Sequence, residues 1–273
     1  MSSTSSKSDS GECVVCGKES VTRCSACAKN GTPWMYFCGR EHQKLIWTTH
    51  KRVCGVNSNP FRWPRMTKAE WSEAQENFRW AFDIVRKDEE DWGKLNKTEF
   101  MKQFIRIRGL HPYSAFMLED EEVPREMKPY EQSGLAAAIR NVVSYIRESR
   151  KAYNRESGKE WTMTDISADP WGQVSRTIGY HDYHRRPTNR EPPSWCHFLG
   201  HRVLIHYTVL GTYYKDFSAF PTLEPTLRYT QQKTLQCAEE TVASIMPHVS
   251  ENIHITLLQE FSPDDFRYIY EPV

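Results

Sequence analysis

The stretch "FCGREHQKLIWTTHKRVC", Phe37 to Cys54, carries Cys38 and His42, then His50 and Cys54, each pair with three residues between partners. Upstream, Cys13/Cys16 and Cys24/Cys27 are each separated by two residues. Two intervening residues let both sulfurs of a pair converge on one ion from a tight turn. A structural zinc site takes four ligands, so four pairs imply two ions. The i, i+4 spacing of the last two pairs suits one face of a helix. Arg40–Lys51 contains neither Gly nor Pro, so helical turns are expected there. "WMYF", Trp34 to Phe37, is short and aromatic and suits a strand of a small hairpin after the turn-like "KNGTP".

Energetics favour a metal array over free thiols. Some forty residues cannot bury enough apolar surface to offset their chain entropy. Structural zinc contributes on the order of 10–16 kcal/mol of apparent binding energy, which becomes folding energy. Six of the eight cysteines lie between Cys13 and Cys54, interleaved with histidines, while Cys196 and Cys237 stand apart as expected buried, small apolar residues. With no apolar stretch near the N-terminus to direct secretion, metal ligation in a reducing compartment fits better than disulfides.

Cys13 to Cys54 resembles the MYND-type zinc finger: Cys-x2-Cys, Cys-x2-Cys, Cys-x3-Cys, then seven residues to His-x3-Cys. Seven residues do separate His42 from His50, but the sixth ligand is His42 where the family usually has Cys. Imidazole fills a tetrahedral corner as readily as thiolate and removes one negative charge. The alternative is a three-cysteine site closed by water, with His42 merely nearby. The resemblance implies interleaving, with Cys13, Cys16, Cys38 and His42 around one zinc and Cys24, Cys27, His50 and Cys54 around the other. It also implies a protein-interaction role, because some fingers of this family hold proline-containing peptides. The family's groove residues are a glutamine just after the sixth ligand and a tryptophan four residues later, here Gln43 and Trp47. The competing role for Trp47 is to pack the finger against the rest of the chain.

The rest of the chain excludes several classes. A net charge of +1 creates no global field toward nucleic acid. Lys44, Lys51 and Arg52 are scattered on a helix whose face serves metal ligation, so DNA reading is not expected. No apolar run approaches the roughly 18–20 residues that span a bilayer, and no membrane association is expected. Residues 1–12 are expected to be a disordered tail, 13–54 the finger, 55–66 a linker, and 67–273 a mostly α-helical domain, with α+β as the alternative. An intracellular address, nucleus or cytoplasm, follows from the reduced cysteines.

Within 67–273, Thr67 to Glu70 forms a capping-box pattern opening a helix with Trp71, Phe78, Phe82 and Val85 in a stripe. Asn96 can cap another helix ending before Gly109. Leu135, Ile139, Val142 and Ile146 mark a further helix, and "TLRYTQQKTLQCAEETVASIM" another. "HRVLIHYTVLGTYY" is rich enough in β-branched and aromatic residues to be a strand, and "NIHITLL" alternates weakly.

Family members that are SET-domain methyltransferases carry an Asn-His-Ser-Cys-type cofactor motif and a later tyrosine-bearing motif; neither occurs here. A Gly-rich phosphate loop and a nucleophile elbow are also missing. The rival to an interaction protein is an unrecognised enzyme using His181, His184, His197, His201 and His206. His197 and His201 have i, i+4 chelating spacing but no acidic residue between them, so core or surface histidines are the plainer account. Finally, Pro221-Thr222-Leu223-Glu224-Pro225 has the Pro-x-Leu-x-Pro form that some of these fingers bind. The chain is therefore expected either to present this loop to its own groove or that of a second copy, or to use it as a rigid turn before a helix.

Overall fold

The computed structural model describes residues 10–31, 34–59, 61–88, most of 136–147, residue 150, and residues 170–175, 194–215 and 220–245. The expected helix from Asn96, the "NIHITLL" segment, and His181 and His184 lie outside these residues, as do the side chains of Phe82, Val85 and Cys196.

The chain begins with a two-stranded antiparallel sheet, β1 (Gly11–Glu12) and β2 (Glu19–Ser20), in register Gly11 opposite Ser20 and Glu12 opposite Glu19. The hairpin strands are therefore not drawn from "WMYF". Tyr36 instead makes single bridges, parallel to Cys13 and antiparallel to Arg23. Gly11 and Glu12, expected in the tail, belong to β1. The β1–β2 turn holds the first ligand pair. Gly17 sits there at φ 77°, in the left-handed region that an L side chain resists, and donates to the Cys13 carbonyl at 2.9 Å.

Next come α1 (Ser25–Lys29), α2 (Arg40–His50) and a 3-10 turn at Gly55–Asn57. Then follow α3 (Lys68–Asp88), a short α4 (Pro170–Val174), α5 (Ser194–Lys215) and α6 (Phe220–Ile245). The described positions within 136–150 are helical as well. The capping box opens α3 as expected: Thr67 N–H donates to Glu70 Oε2 at 2.7 Å, and Glu70 N–H donates to Thr67 Oγ1 at 3.2 Å.

By its contacts the chain forms two compact units that do not follow chain order. One comprises residues 1–62, 164–170 and 191–273, so the finger shares it with α5 and α6. The other comprises residues 63–163 and 171–190.

In the second unit, Trp71, Ala74, Phe78 and Ala81 of α3 pack with Val143 and with Ile139, Val142 and Ile146 of the expected stripe, whose Leu135 lies outside the described residues. Arg140, only 3% exposed, clamps the entry to α3. It donates to Glu70 Oε1 at 3.0 Å and to the carbonyls of Pro64 at 2.8 Å and Arg65 at 3.2 Å, and it lies over the Trp171 ring. Arg147 to Glu73 and Arg150 to Glu76 continue the pairing along the two helices.

In the first unit, "HRVLIHYTVLGTYY" is helical rather than strand-like. α5 packs along α6 and against α2, and Leu199 to Gly211 are buried except for the half-buried Arg202. A helix covered on opposite sides needs apolar residues at nearly every angle, which blurs the 3.6-residue period. Pro221 to Pro225 likewise form the first turns of α6 rather than a presented loop. Proline is tolerated in a first turn, where backbone donors have no helical partner; Pro225, slightly deeper, forgoes one such bond. As a helix this stretch is not presented as the extended peptide expected of a groove ligand. Among the described residues no helix is long and apolar enough to cross a membrane.

Candidate metal centres and the finger surface

The eight ligands sit at the ends of short elements. Cys13 and Cys16 flank the β1–β2 turn. Cys24 is the N-cap of α1, and Cys27 lies inside that helix. Cys38 precedes α2, whose third residue is His42 and whose last is His50, with Cys54 beyond its end. The i, i+4 pairs therefore straddle the two ends of α2 instead of lying along one helical face. This arrangement puts one helix between two ions and ties each end to a different one.

Two groups converge, Cys13/Cys16/Cys38/His42 and Cys24/Cys27/His50/Cys54, with the ligand atoms of each group all within 4.8 Å of one another. This is the interleaving implied by the resemblance, and His42 takes part in it. A regular tetrahedron with sulfur at about 2.3 Å and nitrogen at about 2.0–2.1 Å puts sulfurs about 3.8 Å apart and sulfur about 3.5 Å from nitrogen. In the first group, Cys16 Sγ lies 3.6 Å from Cys38 Sγ, while His42 Nδ1 lies 3.5 Å from Cys13 Sγ and 3.2 Å from Cys38 Sγ. In the second, Cys54 Sγ lies 3.5 Å from Cys24 Sγ and 3.7 Å from Cys27 Sγ, and Cys27 Sγ lies 3.5 Å from His50 Nε2. These separations fit two zinc ions, each held by three sulfurs and one nitrogen. The first would use Nδ1 of its histidine and the second Nε2.

Crowding also splits the thiols, lowering Cys13 and Cys24 and raising Cys16, Cys27 and Cys54. The hydrogen bond from Cys27 pushes the Cys24 thiol down to about 3, and the same contact, with burial, pushes Cys27 up. Burial pushes Cys16 up to about 12. At Cys13 burial acts upward, but backbone N–H groups from Cys38, Val15 and Cys16 outweigh it and lower the thiol. Burial holds His42 below the usual imidazole range, which favours the neutral ring a metal requires. The thiols that are pushed up would have to give up their protons for zinc to bind.

Around the ligands the backbone is cross-braced. Val14 N–H donates to the Tyr36 carbonyl at 3.0 Å, Cys24 N–H to Met35 at 3.1 Å, and Phe37 N–H to Thr22 at 2.8 Å. Val14, Val15, Met35, Phe37, Ile46 and Val53 are fully buried. Trp47 stands out on α2 at 44% exposure, whereas its neighbour Ile46 is buried. Gln43, one turn earlier, is half-buried.

The described histidines of the cluster all lie on α5, inside its packing. His197, His201 and His206 are all buried, and among the described residues none joins a group able to hold a metal. His201 Nε2–H donates to the Ser58 carbonyl at 3.1 Å, and its ring packs against Trp34, His50, Phe61 and His197. Burial pushes His201 well below the usual imidazole range, so it is a neutral core residue. Further ties bind the finger to the helices. Arg202 Nη1 donates to the Val14 carbonyl at 3.2 Å, and Thr49 and Thr208 share a buried hydroxyl pair at 2.7 Å. Glu12 Oε2 accepts from Tyr229 and Lys233, each at 3.0 Å. Sequence spacing carried no signal for these ties, whose partners lie at least 143 positions apart.

Comparison with known proteins agrees with the geometry. Residues 13–54 match the family described as the MYND finger. A 46-residue segment is 39% identical to a Rho GTPase-activating protein, gacZ, of Dictyostelium discoideum. That match covers 16% of this chain and 4% of the relative, so the chain spans only a small fraction of the relative's length. No solved structure matches the chain.

Proposed function

We propose that this MYND finger, a two-zinc protein-interaction module, docks a proline-containing peptide of a partner protein through Gln43 and Trp47. The observation carrying this reading is the exposure of Trp47, 44%, on a finger whose other large apolar side chains are mostly buried. An indole left in water on a rigid, metal-braced helix is a ready platform for a proline ring or a leucine side chain. Gln43 lies one turn away, within reach of the same extended strand, and its amide can both donate to and accept from a peptide backbone. A polyproline-like ligand arrives already extended, so little ordering entropy opposes binding. The helical state of Pro221 to Pro225 favours a ligand from a partner protein over this segment. We place such an interaction in regulatory assemblies of the nucleus or cytoplasm, where cysteine thiols stay reduced.

The test is titration of a Pro-x-Leu-x-Pro peptide into the intact protein, followed by Trp fluorescence or calorimetry. The wild type binds, and Trp47→Ala weakens binding about tenfold or more while still holding two zinc ions. Equal binding by both proteins would reject this groove.

A further inference from the structure

α5 lies between two partners, and its residue spacing shows which side chains meet which. At about 100° per residue, His197, His201, Leu204 and Thr208 fall within one stripe about 60° wide. The first, second and fourth of these meet the finger or the segment directly after it, at Trp34, at Ser58 with Trp34 and Phe61, and at Thr49. His206 lies about 180° from His197. It faces α6, where its Nδ1–H donates to Thr230 Oγ1 at 3.1 Å, while the Thr230 hydroxyl itself donates to the Leu227 carbonyl at 2.9 Å. All four stripe residues and His206 are buried.

The finger elements that cover the stripe are held by the metal ligands. Thr49 adjoins His50, and Trp34 lies between Cys27 and Cys38. Val14, whose carbonyl receives Arg202, lies between Cys13 and Cys16. Ser58 follows the 3-10 turn that begins directly after Cys54. A module of this size has too little core of its own to stay ordered once its ions leave. α6 also touches the finger, through Tyr229 and Lys233 to Glu12, but it packs along α5 by contacts of its own, His206 to Thr230 among them.

We propose that zinc occupancy of the finger controls whether this stripe of α5 is covered. With both ions bound, the finger caps His197, His201, Leu204 and Thr208. When the ions leave, the cap opens and a second surface, two imidazoles beside Leu204, becomes accessible far along the chain, while the α5–α6 contact persists. The finger thereby couples metal supply to a surface change outside itself.

The experiment is histidine modification by diethylpyrocarbonate on the full chain, with rates read at individual peptides by mass spectrometry. It is run on zinc-loaded protein and on protein whose two ions have been removed by chelation and verified by metal analysis. His206 serves as an internal control. The expected result is slow modification of all three histidines with zinc bound. After chelation, His197 and His201 should react at least about tenfold faster while His206 stays slow. If His197 and His201 remain as slow as His206 once zinc is gone, the proposal is overturned. If all three accelerate together, α5 and α6 separate as well and selective uncapping is equally overturned.

Discussion

Thr49, next to the zinc ligand His50, and Thr208 in the middle of α5 share a buried hydroxyl contact of 2.7 Å across 159 positions of sequence. Each hydroxyl also lies within reach of a carbonyl of its own helix, Thr49 at 3.0 Å from Ile46 and Thr208 at 2.6 Å from Leu204. Two protons serve three contacts, so one threonine donates to the other and the second donates to its own helix. Thr208→Val removes one partner from a dry site and is expected to cost about 1–2 kcal/mol. The double variant Thr49→Val/Thr208→Val is expected to recover part of that loss, because neither side then carries an unmatched hydroxyl. Denaturant unfolding of zinc-loaded protein measures both; strictly additive losses would show that the pair does not interact.

Each metal centre is expected to fail separately. His42→Ala removes a ligand from the first group only, and Cys27→Ala from the second only. Native mass spectrometry should find one zinc per chain in each variant and two in the wild type. His42→Cys restores four ligands and should hold two. Two ions in His42→Ala would mean that His42 is a bystander.

Acid should weaken the fold through His206. Burial pushes this imidazole down from its ordinary value, near 6.5, to about 3. The folded state therefore keeps it neutral where the unfolded chain protonates it. Stability is fully present above about 6.5 and is lost as pH falls toward 3, with a limiting slope of about 1.4 kcal/mol per pH unit. Zinc ligands also take up protons in acid, so the contribution of His206 is read as a difference. His206→Phe should have a shallower slope than the wild type between pH 6.5 and 5 under saturating zinc, and identical slopes would remove His206 as the cause.

Arg140 is the most demanding side chain of the second unit. Its fork reaches Glu70 and two carbonyls with almost no exposure. Arg140→Ala leaves those acceptors short of donors and should cost about 3–5 kcal/mol. Arg140→Lys should recover little, since one ammonium cannot reproduce the planar fork. Thermal unfolding distinguishes the two outcomes, and a lysine variant as stable as wild type would show that charge alone suffices.

The metal ligands were legible in the sequence because ligation is local: pair spacing converges two sulfurs, and the gap from His42 to His50 matches a helix joining two ions. The capping box at Thr67 and Glu70 and the stripe of Ile139, Val142 and Ile146 were legible for the same reason. α5 was not, because contact with α2 on one side and α6 on the other removes the amphipathic period, and its Val, Ile and Tyr residues favour strand by propensity. His197 and His201 have an i, i+4 spacing that can chelate, but the same spacing lines one face of a packed helix, and the plainer reading as core histidines matches their burial. Pro221 and Pro225 suggested a loop, but a helix admits proline near its first turn. Nothing in local pattern shows that Ser58 meets His201 or that Glu12 meets Tyr229.

The central claim is a pair of centres with three thiolates and one imidazole each. Zinc K-edge X-ray absorption of the purified protein tests it most directly. The expected first shell averages three sulfurs at about 2.3 Å and one nitrogen at about 2.0–2.1 Å per ion. A shell of four sulfurs, or one completed by oxygen in place of the second imidazole, would contradict it.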